Sequence, residues 1–379
     1  MSDQRERRTE GALALMRERG VRALLVSAPA NVRYLSGYSG TNGVALLVAG
    51  EEAPSLSQSA WFFTDFRYET QAQEQVPASY ARVIAPVELL ASAAETLTRA
   101  VSAPAELEDA PRLGFDENHL TVAHYERLLG LLGESFALVP SGGLVEEMRE
   151  VKDEQELARI AAAAQLADAA LSEVLAEGLV GRTERDVAIA LETRMRTLGA
   201  EAPSFPTIVA AGAHGALPHA QPRDVAIARG ELVTIDWGAL LDGYCSDCTR
   251  TFACGPPNER QREIYELVLA AQYAGLSALR AGRTGKEVDA SARSVIEDAG
   301  YGAQFGHGLG HGVGLEVHEG PRLSRVRADA VLREHNVVTV EPGIYLAGEL
   351  GVRIEELTVV AEDGHRALTS LPRELTTVS

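Results

Sequence analysis

Cysteine is scarce in this chain, with three residues among 379. So few cysteines exclude a disulfide-stapled secreted scaffold and fit a reducing compartment. Cys245 and Cys248 have the spacing of a redox pair, but positions i and i+3 of an extended strand lie roughly 10 Å apart and point to opposite faces. Because that separation exceeds disulfide reach, both cysteines are predicted to be small hydrophobic residues.

Long apolar runs and an excess of basic residues are also missing. No segment approaches the run of about 18 apolar residues that a membrane span needs. The charged N-terminus lacks the apolar region and cleavage site of a signal peptide. Lysine and arginine number 35 against 54 acidic residues, a net charge of −19, whereas phosphate backbones are bound by basic surfaces. We therefore expect a cytoplasmic protein that binds neither membranes nor nucleic acid.

The length of 379 residues exceeds what one hydrophobic core usually supports, which predicts two domains. Up to Pro140, short apolar runs alternate with helical patterns, as in an α/β domain whose sheet is covered by helices. Residues 31–37 are distinctive within it, and a packed loop is their simplest interpretation. A Pro-Ser-Gly-Gly stretch then indicates a boundary. We place an α/β domain at residues 1–140 and a second domain at residues 141–379.

The second domain contains a weak internal repeat. A Gly-Arg-Thr-x-x-acid-Val pattern occurs twice, with its threonines at Thr183 and Thr284. Each threonine is predicted to cap a helix, and the acid three residues later completes a capping box. Each predicted helix follows a longer one and precedes a β-rich region. We therefore infer two pseudo-symmetric halves that form one α+β domain.

Residues 231–252 organise the chemistry predicted for this domain. Two β-rich runs are joined by an Asp-Gly dipeptide at 242–243, which a type I′ hairpin turn prefers. That turn places Asp236 opposite Thr249 and sets Asp236 and Asp247 diagonally on one face, roughly 7–8 Å apart at Cα. Converging carboxylates repel each other unless a proton or a metal ion lies between them. The alternative is a polar, solvent-facing side of a hairpin.

The second half supplies further candidate ligands. Glu341 and Glu355 belong to β-rich runs, and a glycine-rich segment before them contains His307, His311 and His318. Glycine lets a backbone approach a ligand closely, and imidazole adds a metal ligand or a proton donor near neutral pH. Four carboxylates exceed what one divalent ion needs, so we predict two ions. An oxygen-rich set with imidazole suits Mn²⁺, with Co²⁺ or Zn²⁺ as alternatives.

These segments resemble the signature blocks of the proline-specific "pita-bread" metallopeptidases, which include Xaa-Pro aminopeptidases and Xaa-Pro dipeptidases (prolidases). The four blocks are residues 235–251, 307–319, 340–343 and 352–356. Residues 34–41 and 64–72 are similar to the N-terminal domain of small bacterial Xaa-Pro aminopeptidases. The resemblance implies an α+β protein: a C-terminal pita-bread (creatinase/aminopeptidase) domain with pseudo-twofold halves, preceded by an α/β creatinase-type N-terminal domain.

The resemblance also implies the roles of individual residues. The ligands of a dinuclear metal centre are Asp236, Asp247, His311, Glu341 and Glu355. Asp236 chelates one ion, His311 completes the other, and Asp247 and Glu355 bridge the two, while Glu341 is also the general base. The remaining implied roles are stabilisation of the reacting carbonyl by His219, substrate binding and proton shuttling by His307 and His318, and support of the site by Arg353.

The implied reaction is hydrolysis of the Xaa-Pro bond by water activated between two ions. The N-terminal blocks favour an aminopeptidase that acts on peptides with proline at the second position. A dipeptidase restricted to Xaa-Pro is the alternative. A catalytically silent peptide-binding relative or a metal-free creatinase-like hydrolase fits less well, because all five ligands are present. A methionine aminopeptidase fits less well because residues 1–140 form an extra domain. The resemblance implies a homodimer.

The chain departs from the family pattern at three positions that are not predicted ligands: His214, Trp237 and Cys248. Four other histidines match no block and are predicted to be surface or packing residues: His119, His124, His335 and His365.

Overall fold

The computed structural model describes residues 4–50, 55–101 and 110–379. Contacts within the chain divide it into two units, Met1–Arg149 and Glu150–Ser379. No helix among these described residues is long and apolar enough to cross a membrane.

The first unit is a mixed sheet with helices packed on it. Its elements are α1 (Gln4–Glu18), β1 (Ala23–Val26), α2 (Pro29–Ser36), β2 (Val44–Val48), β3 (Ala60–Thr64), α3 (Glu69–Gln75), β4 (Ala81–Ile84), α4 (Leu89–Ala100), β5 (Arg112–Phe115), α5 (Val122–Leu132), β6 (Ala137–Pro140) and α6 (Leu144–Glu150). The strand order is β4-β3-β2-β1-β5-β6. Strand β2 runs antiparallel to both neighbours and the other pairs are parallel. Apolar residues of α4 and α5 pack against this sheet, as an α/β domain requires.

Helix α2 replaces the loop predicted for residues 31–37. Pro29 occupies its first turn, and Gly37 ends it in the left-handed conformation (φ 77°), donating its amide to the carbonyl of Arg33. Proline at a helix start and glycine at its end are the expected signals, but the segment is shorter than the stretches in which helical periodicity is visible.

The second unit contains two helix pairs and several short sheets. Its elements are α7 (Glu154–Ala176), α8 (Glu184–Thr197), β7 (Ala202–Pro203), β8 (Ile208–Ala211), β9 (Leu232–Trp237), β10 (Ala239–Leu241), β11 (Tyr244–Cys245), β12 (Cys248–Cys254), α9 (Glu259–Ala278), α10 (Gly285–Asp298), β13 (Gly310–Gly312), β14 (Glu319–Leu323), β15 (Val337–Val340), β16 (Gly343–Leu346), β17 (Leu350–Arg353), β18 (Glu356–Ala361), β19 (Gly364–Ala367) and β20 (Thr377–Val378).

Each half of this unit packs a helix pair on a sheet. In the first half, α7 and α8 cover β8, β9 and β12 through a core that includes Leu171, Leu191 and Ile235. In the second half, residues of α9 and α10 pack against β15 around Val340. The corresponding sheets have the orders β20-β12-β9-β8 and β14-β13-β15-β18-β19. The prediction of an α+β domain with two related halves is confirmed.

Both predicted capping boxes are present at the starts of α8 and α10. Thr183 and Thr284 each accept a hydrogen bond from the amide of the acid three residues later, whose carboxylate accepts from the threonine amide in return. These reciprocal bonds satisfy amides that a helix start leaves without partners. As a result, α8 and α10 start at equivalent positions of the repeated motif.

The predicted hairpin is also confirmed. Asp242 and Gly243 have φ values of 48° and 78°, as a type I′ turn requires. The register of β9 with β12 places Asp236 opposite Thr249. The hairpin thereby carries Asp236 and Asp247 to one side of the sheet, where the candidate site lies.

Candidate active site

Every predicted site residue lines one pocket of about 810 Å³ in the second unit. These residues are Asp236, Asp247, His311, Glu341 and Glu355, together with His219, His307, His318 and Arg353. They come from strands and turns of both halves, so the fold brings together groups that are far apart in the chain.

The centre of the pocket is a cluster of carboxylates around one imidazole. Asp247, His311 and Glu355 each present one potential ligand atom, all within 4.8 Å of one another. His311 Nε2 lies 3.5 Å from Asp247 Oδ2 and 3.4 Å from Glu341 Oε1. Its Nδ1 lies 3.1 Å from the carbonyl oxygen of Gly312, and because a carbonyl only accepts, Nδ1 is the donor. The neutral ring then directs the lone pair of Nε2 towards the acids.

Two threonines hold the acids of the second half in place. Thr249 Oγ1 donates to Glu355 Oε2 at 2.7 Å, and the amide of Glu355 donates to the carbonyl of Thr249 at 3.0 Å. Thr339 Oγ1 donates to Glu341 Oε1 at 3.2 Å. The sequence analysis missed both threonines, because a threonine in a strand is ordinary and nothing in the sequence pairs it with a particular acid.

Burial and neighbouring charges shift the pKa values of Asp247, Glu355 and Glu341. Burial raises the pKa of Asp247 and that of Glu355 well above their ordinary values, and neighbouring carboxylates raise both further. Burial likewise raises the pKa of Glu341 to about 8, against the opposing charge of Arg353. It lowers the pKa of His311 to about 4. The cluster therefore favours protonated acids and a neutral imidazole unless cations balance the charge.

Two carboxylate oxygens in the cluster have no hydrogen-bond partner although they are buried. They are Asp236 Oδ1 and Glu355 Oε1, while the other oxygen of each group accepts a hydrogen bond. An unsatisfied buried acceptor costs free energy, and a divalent cation satisfies it. Carboxylate oxygens with one imidazole nitrogen form a donor set that suits Mn²⁺ and similar ions. The residues present thus fit a metal centre.

A second network runs from the cluster to His307. Arg353 Nη2 donates to Asp236 Oδ2 at 2.8 Å, and its Nη1 donates to the hydroxyl of Tyr345 at 3.0 Å. That hydroxyl lies 2.9 Å from His307 Nε2, and His307 Nδ1 lies 2.7 Å from the carbonyl of Gly308. Since the carbonyl takes the proton of Nδ1, Tyr345 donates to Nε2. Tyr345 was not predicted, because nothing in the sequence connects it with His307.

The remaining walls differ in chemistry. Phe205, Pro206 and Ile208 form an apolar side, while Arg322 adds a cation that sequence reasoning missed. The ring of His318 stands edge-on to that of His311, with centroids 4.3 Å apart. The pocket thus offers an apolar surface, imidazoles and a positive charge around the acids.

The glycine-rich segment differs from its prediction in one respect. A Cβ atom at Gly310 would lie 2.0 Å from the carbonyl oxygen of Thr339, and one at Gly312 would lie 2.0 Å from that of Gly320. These two glycines therefore allow neighbouring backbone to approach closely, whereas the sequence predicts the close approach of a ligand. Their absent side chains allow β13 to pack closely and carry His311 to the acids.

Several predictions outside the cluster can also be placed. Cys245 and Cys248 are buried, in agreement with their prediction as hydrophobic residues. His119, His124 and His365 are exposed and His335 is partly buried, as expected of surface or packing residues. His214, a departure from the family pattern, lies 3.0 Å from the buried carboxylate of Glu184.

Two family models together match most of this chain. The model of metallopeptidase family M24 matches residues 158–362, and that of the creatinase/prolidase N-terminal domain matches residues 8–151. An uncharacterized peptidase of Bacillus subtilis is 41% identical over 356 residues, covering 94% of this chain and 96% of the relative. The solved structure of an Xaa-Pro dipeptidase from Bacillus anthracis is 37% identical, covers 99% of this chain and 100% of its own, and superposes with a TM-score of 0.91. An X-Pro aminopeptidase from Thermotoga maritima is 36% identical, with coverages of 95% and 99% and a TM-score of 0.82. The chain therefore belongs to metallopeptidase family M24, with a creatinase/prolidase N-terminal domain before its pita-bread domain.

Proposed function

We propose that this protein is an exopeptidase that hydrolyses the peptide bond preceding proline and depends on two divalent metal ions. The observation that carries the proposal is the convergence of four acids and one imidazole in a single pocket of a metallopeptidase fold. The two buried oxygens without partners add to it, because the protein itself leaves them unsatisfied.

The candidate ligands are the five residues of the cluster: Asp236, Asp247, His311, Glu341 and Glu355. Asp236, Asp247 and Glu355 would hold the ions through carboxylate oxygens, and His311 would hold them through Nε2. The oxygen-rich set favours Mn²⁺, with Co²⁺ or Zn²⁺ as alternatives. When bound, the ions would supply Lewis acidity that activates water and polarises the scissile carbonyl.

Glu341 is our candidate for the group that accepts the proton of the attacking water. Its Oε1 is held by Thr339, so the carboxylate has a fixed orientation. A carboxylate beside the water that the ions would activate is placed to accept its proton.

The three pocket histidines other than His311 divide into two groups by their hydrogen bonds. Both ring nitrogens of His307 are engaged, by the carbonyl of Gly308 and the hydroxyl of Tyr345. His307 would therefore bind substrate through the shape of its ring. Donation to the developing oxyanion then falls to His219, and proton transfer to the leaving nitrogen falls to His318.

The apolar wall gives a reason for proline specificity. A prolyl nitrogen carries no N–H, and its ring fixes the backbone angle φ. Phe205, Pro206 and Ile208 present apolar surface beside the cluster, which suits a ring that needs no hydrogen-bond acceptor. An ordinary residue in the same place would leave an amide without a partner.

The length of the substrate separates the two candidate activities. The N-terminal blocks of the sequence favour an aminopeptidase, which must leave room beyond the proline. Arg322 favours a dipeptidase, because this cation lines the same pocket as His311 and His318. In an Xaa-Pro dipeptide the prolyl carboxylate is free and would pair with such a cation.

Turnover of matched peptides tests both the activity and the length. The metal-free protein is given Mn²⁺, Co²⁺ or Zn²⁺ and assayed with Ala-Pro, Ala-Pro-Ala and Ala-Ala-Ala. Cleavage of the two proline peptides but not of Ala-Ala-Ala is the expected result. Cleavage of Ala-Pro alone identifies a dipeptidase. Absence of metal binding and of metal-dependent cleavage would instead indicate a silent peptide-binding protein. We also propose a homodimer, which light scattering of the purified protein tests.

A further inference from the structure

Two buried side chains of α10 bind the backbone of the histidine segment, which we define as residues 305–311. We propose that Asp289 and Arg293 are a positioning pair that sets His307 and His311 in the pocket. The inference rests on the proposed function for the meaning of those histidines. The contacts that carry it lie outside the cluster itself.

Both members of the pair are buried. Asp289 is 0% exposed and Arg293 is 3% exposed. Arg293 Nε donates to Asp289 Oδ2 and Nη2 donates to Oδ1, both at 2.8 Å. This two-pronged geometry fixes the guanidinium in one plane. Because desolvation offsets much of the attraction within a buried ion pair, stability alone is a weak reason for its presence.

The remaining hydrogen bonds of the pair all go to the histidine segment. Arg293 Nη1 donates to the carbonyl of Phe305 at 2.8 Å, and Nη2 donates to the carbonyl of His307 at 2.7 Å. The amide of Leu309 donates to Asp289 Oδ1 at 3.0 Å. Every second residue from Phe305 to Leu309 is thus hydrogen-bonded to α10. Leu309 directly precedes β13, which carries His311.

Arg293 also reaches His307 through an aromatic ring. Its guanidinium carbon lies 4.0 Å from the centroid of the Phe305 ring. That ring stands edge-on to the imidazole of His307, at 84° and 5.1 Å between centroids. The guanidinium therefore constrains both the backbone of His307 and one face of its side chain.

The glycines of the segment explain why such a pair is needed. Gly306, Gly308 and Gly310 alternate with the hydrogen-bonded residues, and glycine loses more conformational freedom on ordering than any other residue. A free segment of this composition would sample many backbone conformations. The pair selects one of them in advance of metal or substrate binding, which lowers the entropic cost of forming the site.

The other half of the domain has an independent parallel. Glu184 of α8 is also 0% exposed, and its carboxylate accepts the amides of Ala211 and Arg223, each at 2.9 Å. Those amides bracket the loop that carries His219. Both halves therefore place a buried carboxylate of their second helix against the backbone that holds a pocket histidine.

Two variants and a matched control test the pair. Asp289→Asn keeps the shape but turns an amide group towards Arg293. Arg293→Lys keeps the charge but cannot reproduce the planar fork. Arg283→Lys is the control. Arg283 lies just before α10 and pairs with Glu287, so the two residues are four positions apart, as Asp289 and Arg293 are. The side chain of Arg283, however, is 35% exposed. If Asp289→Asn does not fold, Arg293→Lys and Arg293→Gln are measured in its place.

Three measurements are compared across these proteins: Mn²⁺ affinity of the metal-free protein by calorimetry, kcat and KM for Ala-Pro, and hydrogen exchange of the histidine segment. Loss of groups that orient metal ligands typically weakens metal affinity or activity by about 10–100-fold, and we expect that loss in both variants. We also expect faster exchange confined to peptides that contain Leu309. Arg283→Lys should match the wild type in all three measurements.

The outcomes separate this inference from the proposed function. If the wild type cleaves no proline peptide but the variants still bind Mn²⁺ more weakly and exchange faster in the segment, the proposed function fails and the positioning pair stands. The inference is overturned if both variants bind Mn²⁺ and cleave within about twofold of the control. It is equally overturned if exchange rises throughout the second unit in proportion to lost thermal stability.

Discussion

The carboxylate cluster should cost stability when no cation is bound, and the substitution Asp247→Asn measures that cost. Asp247 is 5% exposed, and burial together with the charges of Glu355, Asp236 and Glu341 raises its pKa. Asparagine keeps the shape of the side chain and removes one charge. We expect the metal-free variant to be more stable than the metal-free wild type, and to gain less from added metal.

The size of the effect follows from the spacing of the acids. The ligand oxygens of Asp247 and Glu355 lie within 4.8 Å of each other, and two unit charges at that distance repel by about 3 kcal/mol at an effective dielectric constant of about 20. Protonation of one acid near neutral pH relieves part of this energy. A remaining gain of about 2 kcal/mol would raise the melting temperature by roughly 4–8 °C for a domain of this size.

The same reasoning predicts how the stability of the metal-free wild type depends on pH. The pKa values of Asp247 and Glu355 are raised in the folded state, so the folded protein binds more protons than the unfolded chain. Their contribution to stability is fully present below the unfolded pKa values, which lie near about 4. This contribution is lost as the pH rises through the pKa values of the folded protein. For Glu341, which behaves in the same way, the folded pKa is about 8. Stability should therefore fall between about pH 5 and pH 8, and less steeply in Asp247→Asn.

Thermal unfolding of chelator-treated protein, with and without Mn²⁺, checks these expectations. Asp363→Asn in the exposed turn before β19 is the control, since a surface change of this kind stays within about 0.5 kcal/mol. With saturating Mn²⁺ the wild type should melt at a higher temperature than Asp247→Asn, because a ligand stabilises most the protein that binds it best. A metal-free Asp247→Asn protein that melts at or below the wild-type temperature would refute the account of the cluster.

Three further substitutions test other parts of the site. Tyr345→Phe removes the hydroxyl between Arg353 and His307 and should lower kcat/KM about tenfold with little change in melting temperature; an unchanged kcat/KM would contradict the network. Glu184→Gln removes the charge facing His214 and Arg223 and should lower the free energy of unfolding by about 1–3 kcal/mol, as urea titration would measure. Arg322→Ala should raise KM for Ala-Pro about tenfold and leave Ala-Pro-Ala unaffected; equal effects on both peptides would remove the argument for a dipeptidase.

The features that could be predicted from the sequence are those determined by neighbouring residues. The hairpin depends on two residues that adopt positive φ, and each capping box depends on a threonine and the acid three positions later. The helix α2 is also local, yet it was missed, because its eight residues are too few to show a helical period. Candidate ligands could be named because several acids within β-rich, apolar runs are unusual, and such acids need a physical reason to be there.

The supporting residues could not be predicted, for a different reason. Asp289 and Arg293 form an ordinary i, i+4 pair of the kind that commonly lies on a solvated helix surface. Only the folded chain shows that the pair is buried and that its remaining donors and acceptor reach Phe305, His307 and Leu309. A periodic pattern reports which face of a helix is apolar, but it carries no information about which distant backbone that face meets. The residues that would bind a metal are thus recognisable by their chemical type, whereas the residues that hold them in place are recognisable only by position.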